Sequence, residues 1–184
     1  MPLTSAIIDY DERWPRLFEE EAARLRPVFG EACVDLHHVG STAVVGLAAK
    51  PEIDILVVVS DTENLDHWQA ALLNLGYRRG GDLMDGHHFF KRDVGGKRTH
   101  KLHVCGFGHP QILRMLRIRD HLSSNAEDRE AYEALKLRLE QENRTGIGEY
   151  LEGKTPFLNE LYLRIQARMW PISDSRCTLG KDAS

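Results

Sequence analysis

From Asp11 to Phe29 the apolar residues Trp14, Leu17, Phe18, Ala22, Leu25 and Val28 recur at three- and four-residue steps, with Glu19, Glu20 and Arg24 between them. That spacing predicts an amphipathic helix, and Gly30 is a natural stop for it. The run Glu19-Glu20-Glu21 reads as a solvated helix face, with Glu21 available to lock the helix to a sheet. The period then shortens. Val34 to Val39 is a short β-prone run ending at Gly40-Ser41, and Ile53 to Val59 is rich in β-branched residues, the signature of a central buried strand. A second helix is expected from a cap at Asp61 or Thr62, through Leu65, Trp68, Leu72 and Leu75, to Gly76. His87–Asp93 and Thr99–Cys105 read as two strands joined by a turn at Gly95-Gly96. After Pro110 the spacing is helical throughout, in Gln111–Leu122, Glu127–Asn143 and Phe157–Met169. Trp14, Phe18, Trp68 and Phe157 fall on apolar stripes and are expected in the core.

This order predicts an α+β fold, a mixed sheet flanked by helices with a helical C-terminal third. No repeat or linker divides the chain, so residues 1–170 are expected to form one domain and 171–184 a loose tail after Pro171. The composition, 42% hydrophobic and 28% charged, is that of an ordinary globular protein. Cys33, Cys105 and Cys177 lack motif spacing and suit free thiols in a reducing compartment. The start carries no secretory pattern, and the longest apolar stretch is too short to span a bilayer. A cytoplasmic protein with no membrane partner is expected. The net charge of -4 argues against nucleic-acid partners, with tRNA left open as an exception.

Chemistry concentrates between His37 and Val57. A β-run ends in Gly40-Ser41, where the missing side chain lets backbone approach a ligand, and the Ser41 and Thr42 hydroxyls can hold phosphate oxygens. Further on, Glu52 and Asp54 stand two apart on a predicted strand, so both carboxylates share one face roughly 6.5–7 Å apart at Cα. Such a pair suits a hard divalent cation, Mg²⁺ or Mn²⁺. Lys50 precedes it and could offset triphosphate charge. Its alternative is structural: Glu52 marks a strand edge and Asp54 accepts hydrogen bonds.

The sequence around this segment is similar to the GrpB-like family, within the nucleotidyltransferase superfamily. The resemblance rests on His38-Val39-Gly40-Ser41-Thr42-Ala43, Gly46-Leu47-Ala48-Ala49-Lys50-Pro51 and Ile53-Asp54-Ile55-Leu56. It extends upstream to Tyr10-Asp11 with Trp14-Pro15, and downstream to His100-x-Leu102-His103-Val104, Arg119-Asp120-His121-Leu122 and Tyr132-x-x-Leu135-Lys136. It implies a nucleotidyltransferase-like fold and an intracellular role, and names no substrate. Fusion of some members to dephospho-CoA kinase hints at nucleotide or coenzyme chemistry. Three positions depart from the family pattern: Val45 where Pro is frequent, Lys101 where a further His is common, and Glu52 where relatives are often aliphatic.

Active nucleotidyltransferases place a third carboxylate where His103 stands, so His103 is a candidate metal ligand or base alongside Glu52 and Asp54. A hydrogen-bonded structural histidine is the even alternative. His100 turns to the opposite face. His38 is preferred to His37 by family position, and the adjacent His87 and His88 read as solvated strand residues. No histidine pair has the helical spacing of a zinc site, so none is expected. Arg119 could form a phosphate fork or a helix-ordering salt bridge. Tyr132 and Lys136, four apart on a helix, could stack a base and touch phosphate, or sit as a core ring with a snorkelling lysine. Lys154 precedes Thr155-Pro156, a helix-start signal, and could reach the site. Three functions remain open: metal-dependent nucleotidyl or phosphoryl transfer from a nucleoside triphosphate to a small acceptor, a nucleotide- or CoA-binding module without chemistry, and acyl or amide transfer from an aminoacyl-tRNA or CoA ester. The oligomeric state is not legible.

Overall fold

The computed structural model describes residues 5–60 and 65–169. The expected cap at Asp61 or Thr62, the tail and Cys177 lie outside the described residues. Helix α1 spans Trp14–Phe29, a shorter helix than the apolar pattern suggests. Asp11 is the reason. Its carboxylate accepts the Arg13 N–H at 2.9 Å and its carbonyl accepts that of Trp14, closing a turn ahead of the helix. Pro15 then suits a first turn whose N–H groups need no intrahelical partner. The buried stripe is Trp14, Phe18, Glu21, Ala22, Leu25 and Phe29, while Leu17 stays exposed.

Five strands follow: β1 Cys33–Val39, β2 Ile53–Val59, β3 Tyr77–Arg79, β4 His87–Val94 and β5 Lys97–Gly106, with helix α2, Leu65–Asn74, after β2. They form one sheet in the order β1-β2-β5-β4-β3, with β2 and β5 parallel and the other neighbours antiparallel. β3 was not expected, because three residues are too few to show a period. Its Tyr77 is buried and donates its hydroxyl to Glu21 at 3.1 Å, and Arg92 reaches the same carboxylate at 2.8 Å. Glu21 therefore does lock α1 to the sheet.

Alternation along β2 separates two cores. Ile53, Ile55, Val57 and Val59 pack with Leu102 and Val104 against Trp14, Phe18, Leu25 and Trp68 of α1 and α2. Leu56 and Val58 turn the other way, with Val39 and Cys105, onto Ile112, Met115 and Leu116 of helix α3, Pro110–Ser124. Covering both faces explains the continuous apolar run in β2. Asp54 shares the α3 side.

Helices α4, Ala126–Glu142, and α5, Ile147–Met169, complete the C-terminal third. With α3 they enclose a further core of Val44, Leu47, Leu122, Tyr132, Leu161 and Ile165. α5 begins well before Phe157, so Thr155-Pro156 does not start it. The true start is set by Asn143, whose side chain bonds Gly146 at 2.7 and 3.0 Å, and by Glu149, which accepts the N–H groups of Arg144 and Thr145. Pro156 sits inside the helix, and the Thr155 hydroxyl donates to the Leu151 carbonyl at 2.9 Å. Among the described residues no helix is long and apolar enough to cross a membrane.

Candidate functional site

The segment between β1 and β2 is pinned from below and from the side. Val44 and Leu47 anchor it in the helical core. Ala48 is held twice by α4: its N–H donates to Glu133 at 2.7 Å, and the Lys136 ammonium donates to its carbonyl. Lys136 is thus buried rather than snorkelling, and burial, reinforced by Lys154, pushes its pKa down to about 7. Gly40 adopts φ 72°, and a Cβ there would lie 2.5 Å from an Asp54 carboxylate oxygen. Its missing side chain makes room for the Asp54 carboxylate.

Thr42 is fully buried. Its hydroxyl donates to the Glu52 carbonyl at 3.2 Å, and the His38 Nε2 lies 3.0 Å from the Thr42 hydroxyl oxygen. This hydroxyl knits the loop to β2, so it is not free to hold phosphate. His38 pairs in register with Ile55, on the α1 side, and its ring stacks on Phe18 at 4.9 Å between centroids. The Arg119 guanidinium donates to the His38 carbonyl at 2.9 Å and pairs with the neighbouring Asp120. Tyr132 is likewise a core residue. Its ring stacks on Phe157 at 5.3 Å between centroids, in the core it shares with Val44 and Leu47.

Above this support lies a cavity of about 60 Å³ lined by Ser41, Lys50, Glu52, Asp54, Lys101 and Lys154, with Tyr150 and Lys136 among its other walls. Four lysines therefore face two carboxylates. Lys50 is 8% exposed, and its Nζ has no hydrogen-bond partner among the described residues. It lies 4.1 Å from the centre of the Tyr150 ring, and the Lys154 Nζ lies 4.7 Å from the same ring. One aromatic face system thus gathers two ammonium groups, an arrangement favoured by the ring quadrupole but opposed by their mutual repulsion. Burial, then the charge of Lys101, brings the Lys154 pKa down to about 8, and burial lowers that of Lys50. Such crowding favours an anion.

Lys101 is the residue the sequence reading missed. Parallel pairing sets it beside Asp54, and its Nζ lies 2.6 Å from Glu52 and 3.7 Å from Asp54. Burial disfavours its charged form, yet Asp54 and Glu52 overcome this and hold its pKa above the ordinary value. Burial likewise pushes the Asp54 carboxyl up, but Lys101 and then His103 bring it below the usual range. His103 stands behind Asp54 at 3.7 Å, and its other ring nitrogen is 2.9 Å from His87. His87 is buried, contrary to the solvated reading, whereas His88 meets Asp82 at 3.2 Å. A lysine ammonium already bridges the acidic pair, and among the described residues no three His, Cys, Asp or Glu side chains are grouped to hold a metal.

The structure brings together Ser41, Thr42, Lys50, Glu52, Asp54, Lys136 and Lys154 around one cavity, from segments far apart in sequence. It leaves His38, Gly40, His103, Arg119 and Tyr132 behind that first layer. Lys101 and Tyr150 carried a signal all the same. Lys101 is two residues from His103 on one strand face, and Tyr150 is one helical turn before Lys154.

The GrpB protein family matches residues 4–164. A UPF0157 protein of Halalkalibacterium halodurans is 39% identical over 164 residues, which cover 88% of this chain and 82% of that relative. The crystal structure of the conserved protein GrpB from Enterococcus faecalis is similar at a TM-score of 0.83 and 34% identity, over 90% of this chain and 99% of that one. A structure of the Cid1 poly(U) polymerase is similar at a TM-score of 0.53 and 11% identity, over 80% of this chain and 49% of that one. At that identity the likeness speaks of fold alone. A family match across nearly all the described residues, joined to this sheet order and its flanking helices, makes the chain a member of the GrpB family with a nucleotidyltransferase-like fold.

Proposed function

We propose that the cavity binds a phosphorylated small molecule of the nucleotide or coenzyme class, with Lys50 and Lys154 meeting its phosphate oxygens. The observation that carries this reading is the Lys50 ammonium, buried yet without a hydrogen-bond partner among the described residues, in a cavity it shares with three more lysines. A buried unpaired charge is costly, so an anion that pairs with it binds favourably. Ser41 adds a hydroxyl at the rim, while Ile147, Leu151 and the Tyr150 ring offer an apolar flank to a base or other organic body.

Isothermal titration with ATP, GTP, CTP, UTP and CoA, in chelator, tests it. Lys50→Met is expected to weaken binding about 10- to 100-fold, the range of one charge-assisted hydrogen bond, while leaving the melting temperature unchanged or higher. If none of these ligands binds, or the variant binds equally well, the reading is wrong.

A second reading, group transfer from the bound ligand to an acceptor, is favoured by Asp54 on the cavity wall with His103 beside it. It predicts turnover that Asp54→Asn abolishes. Turnover that needs Mg²⁺ would support the nucleotidyl- or phosphoryl-transferase form, and turnover that survives chelation would support acyl or amide transfer.

A further inference from the structure

We propose that Lys101 is a built-in cation standing where a divalent metal would otherwise bind between Glu52 and Asp54. This deepens the reading of the cavity as an anion site, since the charge at the acidic pair is then supplied by the chain.

The sheet register produces the arrangement. Glu52 and Asp54 are two apart, and the parallel neighbour β5 sets Lys101 beside Asp54 on the same face. The ammonium is 2.6 Å from Glu52 Oε2 and 3.7 Å from Asp54 Oδ1. The Glu52 side chain is only 4% exposed, so its charge demands a partner inside the protein. A magnesium ion binds oxygens at about 2.0–2.1 Å and prefers six of them. An ion placed to reach both carboxylates would lie within the space of the ammonium, against a like charge in a site of low dielectric. The further donor, His103, is 3.7 Å from Asp54 and engaged by His87 at its other nitrogen. Removing the ammonium takes away the cation that lies within 4 Å of both carboxylates. That is the condition under which a divalent ion is attracted.

Mn²⁺ binding, followed by the loss of the free-ion electron paramagnetic resonance signal, tests this without any nucleotide. The wild type and Lys101→Arg are expected to bind Mn²⁺ at the pair only weakly. Lys101→Ala is expected to bind one ion about tenfold more tightly or better, and Lys101→Ala with Asp54→Asn to lose that gain. Circular dichroism melts check folding, and Lys101→Gln, which keeps a donor to Glu52 but no charge, serves if the alanine variant unfolds. Tight wild-type binding that Asp54→Asn removes, with no gain in Lys101→Ala, overturns the proposal. So does the absence of any gain in both neutral variants. Either failure leaves the phosphate-binding reading intact, because that reading is tested with nucleotides in chelator.

Discussion

His38 shows how one side chain can brace the cavity wall without lining it. Its face stacks on Phe18 and its Nε2 meets the Thr42 hydroxyl, and Thr42 passes the connection on to the Glu52 carbonyl. Burial brings the His38 pKa from 6.5 down to about 4, with Asp54 acting upward and Arg119 downward. In the unfolded chain the ring takes a proton as the pH falls through 6.5, whereas the folded protein resists until about 4. The stability contributed is therefore complete above 6.5 and is lost as the pH falls from 6.5 towards 4, by about 1–3 kcal/mol. Melting temperatures across that window should fall more steeply in the wild type than in His38→Gln. Parallel curves would mean that His38 protonates freely in the folded state. At this scale the sequence could place His38 beside the Gly-Ser loop, but it could not say which side of the strand met α1.

At the level of elements, α5 departs most from its apolar pattern. Thr155-Pro156 looks like a beginning because proline suits a first turn. The chain instead enters the helix at Ile147 and carries Pro156 through, at the cost of a lost N–H donor and crowding against the preceding turn. Packing of Tyr150, Leu161 and Ile165 outweighs that local preference. Because Pro156 is exposed, Pro156→Ala should relieve the strain without opening a cavity. The variant is expected to be more stable by about 1–3 kcal/mol, seen as a higher urea midpoint at an unchanged slope. A lower midpoint would show that proline is needed to aim the helix. The continuity of α5 also explains Lys154, which reaches the cavity from the middle of a helix, one turn beyond Tyr150.

For the molecule as a whole, the cavity joins the loop before β2, strand β5 and helices α4 and α5, so a ligand there ties the sheet to the helical third. A ligand at 100 times its dissociation constant adds about 2.7 kcal/mol to stability. For a chain of this size that predicts a rise of about 5–10 °C in one shared melting transition. Two transitions, only one of them shifted, would show that the ligand engages a single part. Period and turn chemistry in the sequence alone determined most helices and strands, the burial of β2 as an interior strand, second in the sheet rather than central, and the gathering of Ser41, Lys50, Glu52 and Asp54, because those residues are close along the chain. β3 was too short to show a period, and the start of α5 depended on Asn143 and Glu149 rather than on Pro156. Only the tertiary structure decided that Lys101 bridges the acidic pair, that Lys136 clamps Ala48, and that Lys50 and Lys154 share the Tyr150 ring. Those contacts depend on which strand lies parallel to β2 and on where two distant helices cross the loop. Such long-range pairings are fixed by packing and leave no period in the residues that make them.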